Sequence, residues 1–276
     1  MTRIIVITSG KGGVGKTTVT ANLGMALANM GYQVALVDAD LELRNLDLLL
    51  GLEKRIVYTL SDVLAGECRL EQALVKDKRQ PGLVLLPASQ KRTKESVNPE
   101  QIKSLLNDLA QKYQYVLVDS PAGIDMGFQN AIAAATEAIV VTTPEISSVR
   151  DADRVIRLID AKGIEPIQLI INRIRPGMVR DFNMMSVEDV QEVLAIGLLG
   201  AIPEDERVIV STNRGEPLVL VENNSAAAIA FDRIACNLEG KTANECLEFD
   251  SPKDNILDSN PSIYPINDFV NLYPYF

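Results

Sequence analysis

The chain has 276 residues, enough for one large α/β domain or two small ones, and is 47% hydrophobic and 23% charged, a globular composition. Its net charge of −10 is repelled by phosphate backbones and disfavours broad nucleic-acid binding. With no histidine, imidazole bases and His-ligated metals are excluded, so the chemistry rests on Lys, Asp, Glu, backbone amides and hard, oxygen-bound cations.

Met1-Thr2-Arg3 runs straight into Ile4-Ile5-Val6-Ile7, and no signal or transit peptide is expected ahead of it. No apolar run approaches the roughly 18 residues of a membrane-spanning helix. Continuous apolar runs at 4–7, 34–37, 83–86, 116–118, 138–141 and 167–171, with a weaker one at 197–202, predict strands buried on both faces. Helical patterns fall between and after them. The first covers 17–30 and stops at Gly31; the second covers 98–112, with Asn98 as cap and Pro99 at the first helical position. Others cover 147–162, 186–194 and 225–238. This alternation predicts a doubly wound α/β fold, a mostly parallel sheet with helices on both faces, in a single domain over 1–240. Residues 241–276 carry Lys241 and Lys253 against Glu245, Glu248, Asp250, Asp254, Asp258 and Asp268, and are expected to form a disordered acidic tail. Its end, 263–276, is rich in aromatics: Tyr264, Phe269, Tyr273, Tyr275 and Phe276. The three cysteines, Cys68, Cys236 and Cys246, form no CxxC pair and are expected to be isolated thiols in a reducing compartment.

The chemistry is concentrated at the first strand-to-helix junction. Gly10-Lys11-Gly12-Gly13-Val14-Gly15-Lys16-Thr17 has the spacing GxxxxGK[ST], and a loop of this kind turns backbone N–H groups toward anionic oxygens. Lys16 is placed for the β- and γ-phosphates of ATP, Thr17 for Mg²⁺ and Thr18 for the α-phosphate. Lys11 is a second lysine that the basic loop does not require, which suggests that one lysine serves its own nucleotide and the other reaches elsewhere. Asp38 and Asp40 follow the second strand, at the end that faces the ligand crevice, where Asp38 would support the metal; the other reading is loop acids that cap the next element. Asp119 ends the apolar run 115–119 as a Walker B acid would, holding Mg²⁺ through water. Gly123, just beyond, would let a backbone amide swing toward the γ-phosphate.

Gly-Lys-Gly-Gly-Val-Gly-Lys-Thr-Thr, from Gly10 to Thr18, resembles the deviant Walker A motif of the MinD/ParA ATPases, and the likeness covers 1–240. Asp38-Ala39-Asp40, Arg44-Asn45-Leu46-Asp47, Asp119-Ser120-Pro121-Ala122-Gly123 and Gly215-Glu216-Pro217 are most similar to the MinD branch. The resemblance implies a slow Mg²⁺-dependent ATPase switch in division-site placement. It implies a homodimer with ATP in which Lys11 crosses to the partner's phosphates, Asp40 orients the attacking water, Asn172 contacts adenine, and Gly215-Glu216-Pro217 lies near the base. It implies recruitment of a MinC-like inhibitor and release by a MinE-like activator, with Asp151, Asp153 and Arg154 on the helix 147–162 as candidate partner contacts. It implies a cytoplasmic or plastid-stromal protein, peripheral on the inner membrane in its ATP state, with the C-terminal tail as the membrane contact. Two departures stand out: Glu42 replaces a usually small residue, and no Lys or Arg follows Lys253 where a basic amphipathic helix is usual. The main alternative is a ParA-type partition ATPase holding DNA, which would need a basic surface. A nitrogenase-type reductase would need cysteines placed to share a cluster, and a metabolic kinase a recognisable acceptor site.

Overall fold

The computed structural model describes residues 2–40, 44–89, 99–221 and 224–241. Glu42, Asn98, Cys246 and nearly all of the tail lie outside the described residues. In chain order the elements are β1 (Arg3–Thr8), α1 (Lys16–Asn29), β2 (Val34–Asp38), α2 (Leu46–Leu49), a 3-10 turn at Glu53–Arg55, α3 (Leu60–Leu64), α4 (Leu70–Ala73), β3 (Val75–Lys76) and β4 (Leu83–Leu86). Then come α5 (Pro99–Ala110), β5 (Tyr115–Asp119), α6 (Met126–Ala131), β6 (Glu137–Thr142), α7 (Ile146–Asp160), β7 (Ile167–Ile174), α8 (Pro176–Arg180), α9 (Val187–Leu194), β8 (Gly197–Pro203), α10 (Glu206–Arg214), α11 (Leu218–Val221) and α12 (Ala226–Leu238).

The strands form one sheet in the order β3-β4-β2-β5-β1-β6-β7-β8, parallel throughout except for β3. The apolar runs of β1, β2, β4 and β5 are buried on both sheet faces, which is why they do not alternate. One face packs against α1, α11 and α12, with Leu23, Leu27, Leu218 and Phe231 in the core. The other packs against α5, α7 and α9, with Leu106, Val155 and Val190.

Strand order places the site. The chain moves from β1 outward to β2 and β4, returns through β5, then crosses to β6, β7 and β8. The reversal falls at β1, so the loop after β1 opens into the crevice at the carboxyl ends of the strands, where α/β sheets bind ligands. Asp38 is the register partner of Asp119, and Asp119 is also that of Ile7. Three chemical segments distant in sequence are thereby brought to one level.

The antiparallel β3 was not expected, because two residues carry no readable period. Among the described residues Cys68 is a free thiol.

Candidate active site

Gly10 and Gly15 of the loop after β1 each have a separate reason to be glycine. A Cβ on Gly10 would lie 2.2 Å from the backbone C and O of Asp151 in α7, so only hydrogen fits. Gly15 caps α1 with a left-handed φ of 98°, and a Cβ there would meet Asn172 Nδ2 at 2.3 Å. Asn172, at the end of β7, braces the loop: its Nδ2 donates to the Val14 carbonyl at 2.8 Å, and its Oδ1 accepts from the Arg173 amide at 2.9 Å. One of its two amide hydrogens is spent on the loop, and both the other hydrogen and Oδ1 retain capacity for a base. Ser9 Oγ donates to the Lys11 carbonyl at 2.8 Å, and the Gly123 amide donates to the Ser9 carbonyl at 3.2 Å. Gly12 and Gly13 are exposed, whereas Val14 is buried against the core.

Lys16 opens α1 and is buried, its ammonium facing Asp119 and Asp40. Burial lowers its pKa, and those two carboxylates oppose the shift. The Thr17 hydroxyl lies close enough to the Asp119 carboxylate to favour its charged form. Thr20, one turn further along α1, donates to Asp119 Oδ1 at 3.1 Å. Asp119 is fully buried, and burial pushes its carboxyl up to about 6 against the pull of the Thr17 and Thr20 hydroxyls and the Lys16 ammonium. Beside it Asp38 is raised well above the ordinary carboxylate range, by burial first and by Asp119 second. Asp38 Oδ1 accepts from the Asp40 amide at 3.1 Å and Oδ2 from the Leu46 amide at 3.3 Å. These bonds tie the start of α2 and the backbone of Asp40 to the metal-side carboxylate. Thr18 is half-exposed in the first turn of α1, and its carbonyl accepts from Asn22.

Two buried carboxylates and a hydroxyl, with no soft ligand among them, fit Mg²⁺ better than zinc or iron. Mg²⁺ takes few protein oxygens and completes its shell with phosphate and water. Among the described residues no group of three or more His, Cys, Asp or Glu is assembled for a metal. Thr17 and Asp119 would hold the ion, with Asp38 behind them.

Lys11 stands apart from Lys16. Its Nζ donates to Ser147 Oγ at 3.0 Å and to Glu145 Oε2 at 3.3 Å, at the first turn of α7. The Lys11 and Glu145 side chains are 42% and 59% exposed, so this pair lies at the rim and not in the phosphate cradle. Glu145, Ser147 and Thr20 were not anticipated. Thr20 alone left a signal, since it sits one helical turn from Lys16 and Thr17. Asp151 and Asp153 are half-exposed and paired within α7 to Arg154 and Arg157, at 3.6 and 3.0 Å. Gly215-Glu216-Pro217 follows α10 directly. Gly215 caps the far end of α10 from Asp205 and packs against Gly51, and its carbonyl accepts from Arg79 at 3.0 Å. This segment braces α10 on α2.

Residues 1–239 match the family model described as ParA, the NUBPL iron-transfer P-loop NTPase. A putative septum site-determining protein MinD of Guillardia theta is 68% identical over 241 residues, 87% of this chain and 90% of that one. The chain belongs to the MinD branch of the ParA family. Among solved structures, MinD of the MinC:MinD cell division complex of Aquifex aeolicus aligns with a TM-score of 0.82 and 48% identity, covering 87% of this chain and 97% of that one. Septum site-determining MinD of Pyrococcus horikoshii, complexed with Mg-ADP, aligns with a TM-score of 0.79 and 38% identity, covering 87% and 96%. The MinD-type chain is therefore a Mg²⁺- and nucleotide-dependent ATPase of division-site placement, and the DNA-partition alternative has the weaker support.

Proposed function

We propose that this MinD-type ATPase works as a dimer switch in which each subunit's Lys11 serves the nucleotide of the other. The observation that carries the reading is the division of labour between the two loop lysines. Lys16 is buried between Asp119 and Asp40 and serves its own phosphates, whereas Lys11 rests on the exposed rim with Glu145 and Ser147. A rim lysine held by an exposed pair costs little to release, because such pairs contribute about 0–1 kcal/mol. When two subunits meet through this rim, Lys11 would leave α7 and place its ammonium where negative charge grows as the terminal phosphate departs. Asp40, whose backbone is fixed by Asp38, would orient the attacking water. Mg²⁺ held by Thr17 and Asp119 supplies charge neutralisation at the phosphates when bound.

The same rim includes α7, and a MinC-like inhibitor would read the dimer there, with Asp151, Asp153 and Arg154 as contacts. A MinE-like activator would speed hydrolysis and so discharge the dimer. Dimerisation also doubles the number of C-terminal tails presented to a bilayer, so two weak attachments become one strong one by avidity. The protein would then cycle between the cytoplasm, or a plastid stroma, and the inner membrane. Size exclusion and vesicle pelleting, each with ATP and with ADP, test the reading. The expected result is a dimer that pellets with vesicles only in ATP. Identical elution and pelleting in the two nucleotides would contradict it.

A further inference from the structure

One surface of the domain is both basic and aliphatic, in a chain whose net charge is −10. It centres on the approach of α2 to α10, where Gly51 and Gly215 pack so closely that a Cβ on either would meet the other's backbone at 2.6 Å. Around this point stand Lys54 and Arg55, Lys76 and Lys78, and Arg214, all exposed. Arg55 joins the 3-10 turn to the edge strand by donating to the Lys76 carbonyl at 2.6 Å. In the β3 segment buried Val75 and Asp77 alternate with exposed Lys76 and Lys78, so both lysines leave the sheet edge on one side. Arg79 knits the patch together, donating to the Leu50 and Gly215 carbonyls while it neutralises the buried Asp77. Acids near the patch include Glu53 and Glu216, both half-exposed, the exposed Glu206, and Asp47 and Asp77, which are buried and paired with Arg44 and Arg79. Beside the cations lie Leu48, Ile209 and Val210, which are 50%, 64% and 46% exposed.

The patch continues to the point where the tail begins. The turn after β3 touches the end of α1, through Gln80 on Asn29 at 2.8 Å and Gly82 against the Tyr32 carbonyl. Tyr32 carries the Lys241 ammonium over its ring at 5.2 Å. From Lys241 the chain runs on for 35 residues, 242–276, ending in the aromatic stretch.

We infer that this face of the ATPase domain lies against anionic lipid headgroups and supplies the positive charge that the tail lacks. The inference rests on the membrane reading above and adds a second element to it. Cations interleaved with exposed aliphatic side chains match an interface where headgroup charge and acyl boundary lie within a few ångströms of each other. A phosphate backbone would use the cations and leave Leu48, Ile209 and Val210 without a role. Tail and patch thus divide the attachment: aromatics insert from the tail, and basic groups of the domain hold the surface.

The test is ATP-dependent pelleting of the full chain with vesicles of phosphatidylcholine, with and without phosphatidylglycerol. The variants are K54E/K76E/K78E and, separately, I209S/V210S; both change exposed side chains outside the nucleotide site, so ATP turnover in solution serves as the folding control. The expected result is that wild type prefers the anionic vesicles, that K54E/K76E/K78E loses that affinity at least tenfold, that I209S/V210S weakens it, and that added salt removes the preference. Equal pelleting of wild type and K54E/K76E/K78E would overturn the inference and leave membrane attachment standing. Failure of wild type to pellet in ATP would remove both. Loss of duplex-DNA binding in the variant with unchanged vesicle binding would assign the patch to nucleic acid and also overturn the inference.

Discussion

Gly10 shows how much a single position can carry. A methyl group there would enter the backbone of Asp151, and neither the loop nor α7 has a flexible side chain to give way. Gly10→Ala is expected to cost about 1–3 kcal/mol of stability in urea denaturation, the usual range for overpacking, and to abolish turnover by moving the loop amides. Asp119 sets a pH dependence of definite sign. Its carboxyl is raised to about 6 in the folded chain, above the roughly 3.9 of an unfolded Asp. Stability of the nucleotide-free protein should therefore be fully present below about pH 4 and fall as pH rises through about 6. In Asp119→Asn that fall should shrink while Mg²⁺-dependent turnover is lost. Thermal unfolding between about pH 4 and 7 checks this, and an unaltered pH slope in the variant would contradict it. The loop, Asp38 and Asp119 were legible from sequence because a strand, a spacing and an acid mark each of them. Glu145 and Ser147 were not, because they reach Lys11 from 134 and 136 residues away.

At the scale of elements, α1 is held at its N-terminus by a glycine in a left-handed conformation and by β7 reaching across through Asn172. Asn172→Ala would leave the buried Val14 carbonyl unpaired, at about 1–3 kcal/mol. The expected consequence is a raised KM for ATP with a smaller change in kcat, since the loop is loosened before any bond breaks. A lower kcat with unchanged KM would instead give Asn172 a role in the transition state. The parallel strands and most of the longer helices could be read from sequence because their apolar patterns extend over several residues, but α10 was missed. The four-residue helices α2, α4 and α11 and the two-residue β3 could not, since so short a segment holds no period.

For the whole molecule, the sheet order converts a one-dimensional pattern into a site by stacking the ends of β1, β2 and β5 at one level. The domain was therefore legible as a fold, and its C-terminal tail only as a composition. If the tail anchors the protein, deletion of 261–276 should abolish ATP-dependent vesicle binding and leave the solution dimer intact. Unchanged vesicle binding after that deletion would shift the whole attachment to the domain. The central claim concerns two subunits sharing two sites, and mixing tests it most directly. Lys11→Ala should bind ATP near wild-type affinity yet show no turnover, and Asp40→Ala should also be inactive alone. In a mixed dimer, the site of the Lys11→Ala subunit keeps its own Asp40 and receives Lys11 from its partner. ATP turnover by the equimolar mixture should then exceed the sum of the two separate variants, whereas a mixture as silent as its components would show that Lys11 does not act across the interface.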